Sequence, residues 1–315
     1  MDDDLKRILQ KQGYKLVGSH SGVKLCHWMR QRLLYDRVCY KEQFYGISTH
    51  RCLQMTPTVD HCNQDCLFCW RHHGDHKLQR SSIDEPEDIL EQSILAQRKL
   101  ISGFKGDPRC DLDLWREGQE PTQVAVSLAG EPTIYPYLSD FFELCQKRGM
   151  TTFLVTNGTL PKAIEKLDTL PTQLYVTVAA PNERIYQSLC LPRGGKKAWA
   201  SLKETLKLLP SLSTRTVIRH TLVEERNLTD VDQYAKLDAL ADPMFIEPKG
   251  YVFVGHSRQV LSIRNMPKHE TVRKFGENLG KALGYEMLDE KKDSRVVLLG
   301  TDRSKMKIND GSFNR

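Results

Sequence analysis

Three cysteines lie within eight residues in DHCNQDCLFCWRHH, residues 60–73, spaced C-x3-C-x2-C with Phe68 and Trp70 flanking the last. Thiols grouped this closely point to metal chemistry. A closed structural zinc site takes four ligands, commonly in pairs two to four residues apart, so Cys62, Cys66 and Cys69 would need a fourth from His61, His72 or Cys52. An iron–sulfur cubane is the other reading, because soft thiolates suit iron–sulfide cores. Three protein thiolates leave one of its irons open to a small molecule. Cys26, Cys39 and Cys52 form a second series, with twelve residues between successive members. By spacing alone they are either a further ligand set or three unrelated buried cysteines. Cys110, Cys145 and Cys190 are scattered, and Cys145, in the apolar FFELC, reads as a small buried hydrophobe.

Such residues need a scaffold, and the chain is long enough to build one. It has 315 residues, 39% hydrophobic and 27% charged, the balance of a globular protein. A net charge of +6 and a pI near 8.7 are compatible with a polyanionic partner such as RNA. Nine cysteines, an odd number, argue against a disulfide framework and suit a reducing compartment. The start, MDDDLKRILQKQ, lacks the features of a secretory signal, and no apolar run reaches 18 residues. A cytoplasmic protein with no membrane contact is expected.

From about residue 47, short β-like runs alternate with amphipathic stretches. The runs are 48–55, 123–128, 152–156, 173–178, 216–223 and 243–248; the amphipathic stretches are 87–101, 137–148, 161–168, 198–209, 230–240 and 267–283. This order predicts an α/β fold with a parallel sheet and right-handed crossovers. Residues 102–122, rich in Gly, Pro and charge, interrupt the pattern and are expected to form a long loop. Ligand chemistry gathers where parallel strands end. LAGEPT (128–133), TNGT (156–159), APNE (180–183) and EPKGYVFVGHS (247–257) all fall at such ends. Neither GxxxxGK[ST] nor GxGxxG is present, which disfavours a P-loop nucleotide triphosphatase and a Rossmann dehydrogenase.

C-x3-C with an aromatic residue, Phe68, before the third cysteine resembles the cluster signature of radical S-adenosylmethionine (SAM) enzymes. AGEP, within 128–133, is similar to that class's glycine-rich turn. VCYKEQFYGISTHRCLQMTPTVDHCNQDCLFCWR (38–71) resembles one subfamily more closely, the tRNA 4-demethylwyosine synthases of the wybutosine pathway. So do GFKGDP (103–108), SLAGEPT (127–133), FIEPKGYVFVGHSR (245–258), NMPKHE (265–270) and SRVVLL (294–299). The length matches the archaeal form, which lacks a flavodoxin domain.

The resemblance implies a partial (β/α)6 TIM-like barrel over 47–300, an N-terminal extension (1–46) carrying auxiliary-cluster cysteines, and a tail at 301–315. It implies two 4Fe–4S clusters, one on Cys62, Cys66 and Cys69 that binds SAM, the other on Cys26, Cys39 and Cys52. The implied substrates are tRNA(Phe) bearing N1-methylguanosine beside the anticodon, and pyruvate, joined to give 4-demethylwyosine. A 5′-deoxyadenosyl radical would take hydrogen from the N-methyl group, which no acid–base pair could deprotonate. Pyruvate would bind either the auxiliary cluster's open iron or a lysine of lowered pKa as a Schiff base. Lys41, two residues after Cys39, is the candidate. An external flavodoxin- or ferredoxin-like electron donor and a monomeric state are expected.

By position, Gly130 and Glu131 are expected at the methionine end of SAM, with Asn157 and Thr177 nearby. Glu247, Lys249 and Tyr251 would face the site from the last strand, Glu247 and Tyr251 as cofactor contacts. Ala179 departs from the family's Ser…Asp pattern and cannot hydrogen-bond through its side chain. For RNA, Trp70 is expected to stack on a base, and Arg71, His72, His73, Lys105, Arg109, Lys196 and Lys197 to meet phosphates. Two rivals remain: another two-cluster radical SAM enzyme with a small-molecule or peptide substrate, and a zinc-stabilised RNA-binding protein. Metal content separates the last. Anaerobically reconstituted protein should hold about eight irons per chain, and about four once Cys26, Cys39 and Cys52 are replaced by Ala; stoichiometric zinc without sulfide would decide for the zinc protein.

Overall fold

A computed structural model describes residues 1, 3–71 and 83–308. His72 and His73 lie outside the described residues. Ten strands form one sheet. The hairpin β1 (Tyr14–Val17) and β2 (Ser21–Lys24) leads antiparallel onto β3 (Cys52–Thr56). Parallel strands β4 (Gln123–Val126), β5 (Thr151–Thr156), β6 (Gln173–Thr177), β7 (Arg215–Leu222) and β8 (Phe245–Gly250) follow β3 in chain order. Antiparallel β9 (Glu286–Lys291) and β10 (Val296–Gly300) complete the sheet, with β10 between β8 and β9. The six expected runs are thus the six parallel strands of an open, partial barrel.

Those strands are buried on both faces, which is why they read as near-continuous apolar runs. Val124, Val126, Leu154, Leu174, Val176, Ile218 and Ile246 join a large core cluster with the helices. The alternate residues Ala125, Phe153, Tyr175, Val217 and Phe245 form a second cluster on the opposite face. That inner face is not empty. Of the three helices in the N-terminal extension, α1 (Asp3–Lys11), α2 (His27–Tyr35) and α3 (Tyr40–Tyr45), the last packs Tyr40, Phe44 and Tyr45 into the inner cluster.

The outer helices follow the expected stretches closely. They are α4 (Pro86–Ile101), α5 (Leu112–Glu117), α6 (Leu138–Lys147), α7 (Pro161–Glu165), α8 (Glu183–Cys190), α9 (Lys196–Leu208), α10 (Val231–Ala241) and α11 (His269–Leu283). In α4, proline at the first turn, Glu87 and Asp88 beside it and Arg98 and Lys99 in the last turn all favour the helix sense. Two elements depart from expectation. Residues 102–122 are not an unstructured loop: a 3-10 turn (Ser102–Gly106) and α5 occupy them, with Asp111 capping α5 by accepting from Asp113 N and Leu114 N. Each piece is too short to show a helical period. Ile101 and Cys110 pack against Met29, Leu33 and Leu34 of α2, so the segment anchors the extension. Helix α8, capped by Asn182, also falls outside the expected stretches. Cys145 is fully buried in the core, as read. Among the described residues no helix is long and apolar enough to cross a membrane.

Phe245 is fully buried against Tyr45, their ring centroids 5.8 Å apart. Phe245→Ala should lower the unfolding free energy by about 3–5 kcal/mol, read by urea denaturation. Leu95→Ala, at a half-exposed position on α4, should stay within about 0.5 kcal/mol.

Candidate active site

The loop carrying Cys62, Cys66 and Cys69 leaves the end of β3 and is clamped from two sides. On one side is the turn 128–133. Thr56 Oγ1 donates to the Ala129 carbonyl (2.6 Å), and Glu131 N donates to the His61 carbonyl (2.7 Å). Gly130 has φ +74°, and a Cβ there would collide with the Thr58 carbonyl oxygen and stand 2.5 Å from that of His61. Only glycine allows this approach. Glu131 is buried, and its carboxylate accepts from Thr133 Oγ1 (2.6 Å), Thr133 N (3.1 Å), Thr156 Oγ1 (2.6 Å) and Asn157 N (2.8 Å). Burial pushes its pKa up, against the pull of these donors. The Glu131 carboxylate is thus held by four donors of its own chain.

On the other side, Asn157 Nδ2 donates to Asn63 Oδ1 (2.7 Å), and Asn63 Nδ2 to Thr159 Oγ1 (2.7 Å). Arg193 forks onto Asp65 at 3.0 and 2.9 Å, and Leu67 N donates to the Leu189 carbonyl. Gln64 Nε2 reaches Tyr186 Oη (2.5 Å), while Cys66 Sγ donates to Gln64 Oε1 (3.1 Å). Asn63, Gln64 and Asp65, which the sequence reading passed over, anchor the loop, and the polar run NQD between Cys62 and Cys66 was the available signal; Arg193, expected with RGGKK (193–197) at phosphates, instead pairs with Asp65.

All nine cysteines are free thiols. The structure brings six of them into two groups whose members act on one another electrostatically. Burial, then Cys66, pushes Cys69 up to about 11. Burial and the nearby Glu131 carboxylate raise Cys62, and a hydrogen bond with the Cys190 thiol is the main cause raising Cys66. In the second group, burial and then Cys26 push Cys39 up to about 12 and raise Cys52, while burial raises Cys26. Two triplets of partly buried thiols, costly to ionise alone, fit a cationic iron–sulfide core that offsets their charge.

Lys41 projects into the inner face of the sheet from α3, whose N-cap is Cys39. It is buried, with Nζ 4.2 Å from the Phe153 ring centroid and 4.7 Å from that of Tyr175. Burial, then the positive charge of Arg219, lowers its pKa. Lys249 is a second interior lysine. Its Nζ donates to the Ser294 carbonyl (3.0 Å), and burial lowers it to about 8. Between the lysines runs a polar chain. Arg219 of β7 donates to Glu247 (2.7 and 3.2 Å) and to Tyr40 Oη (2.8 Å), and Tyr45 Oη donates to Glu247 (2.5 Å). Arg219, Tyr40 and Tyr45 were not anticipated, although an arginine inside the apolar TVIRHTLV is the signal that marks one of them.

Other expected contacts are placed as follows. Glu247 is fully buried, with both oxygens engaged by Arg219 and Tyr45. Tyr251 is buried and shares a hydrogen bond with Ser257 Oγ (2.8 Å). Thr177 ends β6, in register with Arg219. Trp70 is half-buried, and the Arg71 guanidinium covers one ring face at 3.3 Å. Arg71 itself is buried and does not reach the surface expected of a phosphate contact. Lys105, Arg109, Lys196 and Lys197 are exposed. Arg109 already forks onto Asp107 at 2.9 and 2.6 Å.

Six parallel strands curled into an open barrel, with a three-cysteine loop after the first, define a radical SAM protein, a class working with SAM and a 4Fe–4S cluster. The Radical SAM superfamily model matches residues 56–237, and the Wyosine base formation model matches residues 240–301. The S-adenosyl-L-methionine-dependent tRNA 4-demethylwyosine synthase of Pyrococcus abyssi is 48% identical, across 96% of this chain and 90% of that one. Its Methanocaldococcus jannaschii counterpart is 40% identical, across 96% and 98%. The solved structure of TYW1 with a lysine-pyruvate adduct bound superposes with a TM-score of 0.87 at 39% identity, covering 98% of this chain and 99% of that one. The chain belongs to the family of tRNA 4-demethylwyosine synthases.

Glu131→Gln turns an acceptor into a donor facing Thr156 Oγ1 or the Asn157 amide. It should cost about 1–3 kcal/mol in urea unfolding, and the iron retained on reconstitution should fall with it.

Proposed function

We propose that this protein joins two carbons of pyruvate to N1-methylguanosine in tRNA(Phe), giving 4-demethylwyosine. Cys62, Cys66 and Cys69 hold the SAM-binding cluster, and Cys26, Cys39 and Cys52 hold an auxiliary one. The observation that carries this reading is the Lys41 amine, buried among aromatic rings beside the second thiol triplet. When bound, the first cluster and SAM supply the 5′-deoxyadenosyl radical that takes hydrogen from the N-methyl group.

The chain's own residues prepare the other reactant. A lysine attacks a carbonyl only as the neutral amine, and desolvation favours that form. Phe153 and Tyr175 exclude water from Lys41 Nζ, and the Arg219 charge disfavours its protonation further. Nζ then adds to pyruvate C2, and with one proton taken up from solvent the C2 oxygen leaves as water, giving a protonated imine that draws electrons toward nitrogen. Glu247 and Tyr45 fix Arg219 in place, so its charge does not wander. The lysine-pyruvate adduct in the TYW1 structure supports this choice of nucleophile. Gly130, Asn157 and Thr177 line the cofactor side with the turns they belong to. Lys105, Arg109, Lys196 and Lys197 offer exposed cations to the tRNA backbone. The protein works as a monomer in the cytoplasm and takes electrons from an external flavodoxin- or ferredoxin-like carrier.

Borohydride added with pyruvate should fix a three-carbon adduct on Lys41, found by peptide mass. Trapping should persist well below the ordinary lysine range of about 10.4. Lys41→Met should make no 4-demethylwyosine while still cleaving SAM. An adduct confined to Lys249 would move the role to that residue.

A further inference from the structure

One buried charge near the cysteine loop has no use in this mechanism. Arg71 follows Cys69 by two residues and is only 4% exposed. Its guanidinium lies 3.3 Å from the centroid of the Trp70 ring and 5.6 Å from that of Tyr14. It donates to Tyr14 Oη and, at 3.5 Å, to the Ser127 carbonyl, while its Nε is buried with no partner. Among the described residues no carboxylate pairs with it; Tyr14 and Cys69 are the groups that act on its charge. Arg219, largely buried, has Glu247; Arg215, buried and likewise without a carboxylate, places donors on Gln173 Oε1 and the Met306 carbonyl and, unlike Arg71, has no buried nitrogen left without a partner. The setting of Arg71 is positive besides, for Lys24 Nζ stands 5.4 Å from the Trp70 ring centroid and 4.9 Å from that of Tyr14.

A buried cation without a carboxylate costs several kcal/mol and persists where a further anion compensates it. The neighbouring sulfur shows which anion. Arg71 follows Cys69 by two residues, so the chain itself tethers the guanidinium near that thiol, and its charge acts on it. We propose that Arg71 is the fixed counter-charge of the SAM-binding cluster, a positioning residue that favours the one-electron-reduced state. On reduction the thiolate-bound cluster gains one negative charge and no atoms, and a buried cation stabilises the more negative state. Trp70 and Tyr14 hold the guanidinium without neutralising it, as a carboxylate would. This inference rests on Cys62, Cys66 and Cys69 holding that cluster.

The test compares wild type, Arg71→Lys and Arg71→Met as reconstituted full-length chains, on a background in which Cys26, Cys39 and Cys52 are Ala so that one cluster reports. Iron content and a SAM-induced change in the reduced cluster's EPR spectrum establish the site first. In a potentiometric titration, Arg71→Met should lower the reduced-to-oxidised ratio at fixed potential about tenfold, some 59 mV for one electron, and Arg71→Lys should stay near wild type. Without iron, Arg71→Met should be at least as stable as wild type in urea, because it removes an uncompensated charge. An unchanged midpoint in fully loaded Arg71→Met would overturn the proposal. So would a shift in Arg71→Lys equal to that in Arg71→Met, which would make the effect one of packing. No SAM-dependent change in the wild-type spectrum would instead sink the cluster assignment, and the role of Arg71 with it.

Discussion

The cysteine loop hangs from one carboxylate. Glu131 gathers four donors from its own turn and from the end of β5, and its backbone N–H holds the His61 carbonyl one residue before Cys62. Each bond is worth about 1 kcal/mol net, but a buried carboxylate stripped of its donors would be far more costly. The group is therefore all or nothing. With it in place, Gly130 can slide beneath the Thr58 carbonyl, and Asn157 can reach Asn63. The loop that carries three thiols thus inherits the rigidity of two strand ends, although it contains no strand of its own.

A second polar group sits deeper. The Arg219–Glu247 pair is buried on the inner face, with Tyr40, Tyr45 and Tyr175 around it and Lys41 and Lys249 at its flanks. A structural role alone explains this poorly, since an apolar substitute often does as well as a buried ion pair. With burial, the Arg219 charge disfavours protonation of both lysines, so the interior keeps one fixed cation and amines that lose their protons readily.

The sequence showed the scaffold far more clearly than the contacts. Six parallel strands and most outer helices were legible because two-sided burial and 3.6-residue periodicity leave long traces. Helices α5 and α8 were missed, being only six and eight residues long. Cysteine spacing revealed both thiol groups, since the chain itself sets which ligands are near each other. The place of Lys41 beside the second thiol group was legible through its tether to Cys39. The fates of Glu131, Glu247 and Arg71 were not, because whether a charged side chain faces a ligand or its own backbone depends on partners 25 to 56 residues away. Arg219 was similarly hidden, its role visible only once Glu247 and Tyr40 stand beside it.

An open barrel has two free edges, and each is a template for pairing with another molecule. Here neither edge belongs to the parallel core. One is β1, only four residues long, behind a hairpin pinned by Ser19 to Asp84. The other is β9, EMLDEK, which carries four charges in six residues and faces a register shift in β10. Shortness blunts the first edge; charge and irregularity blunt the second. The consequence is a sheet that can remain unclosed without offering a long, flat, apolar edge for another strand to extend.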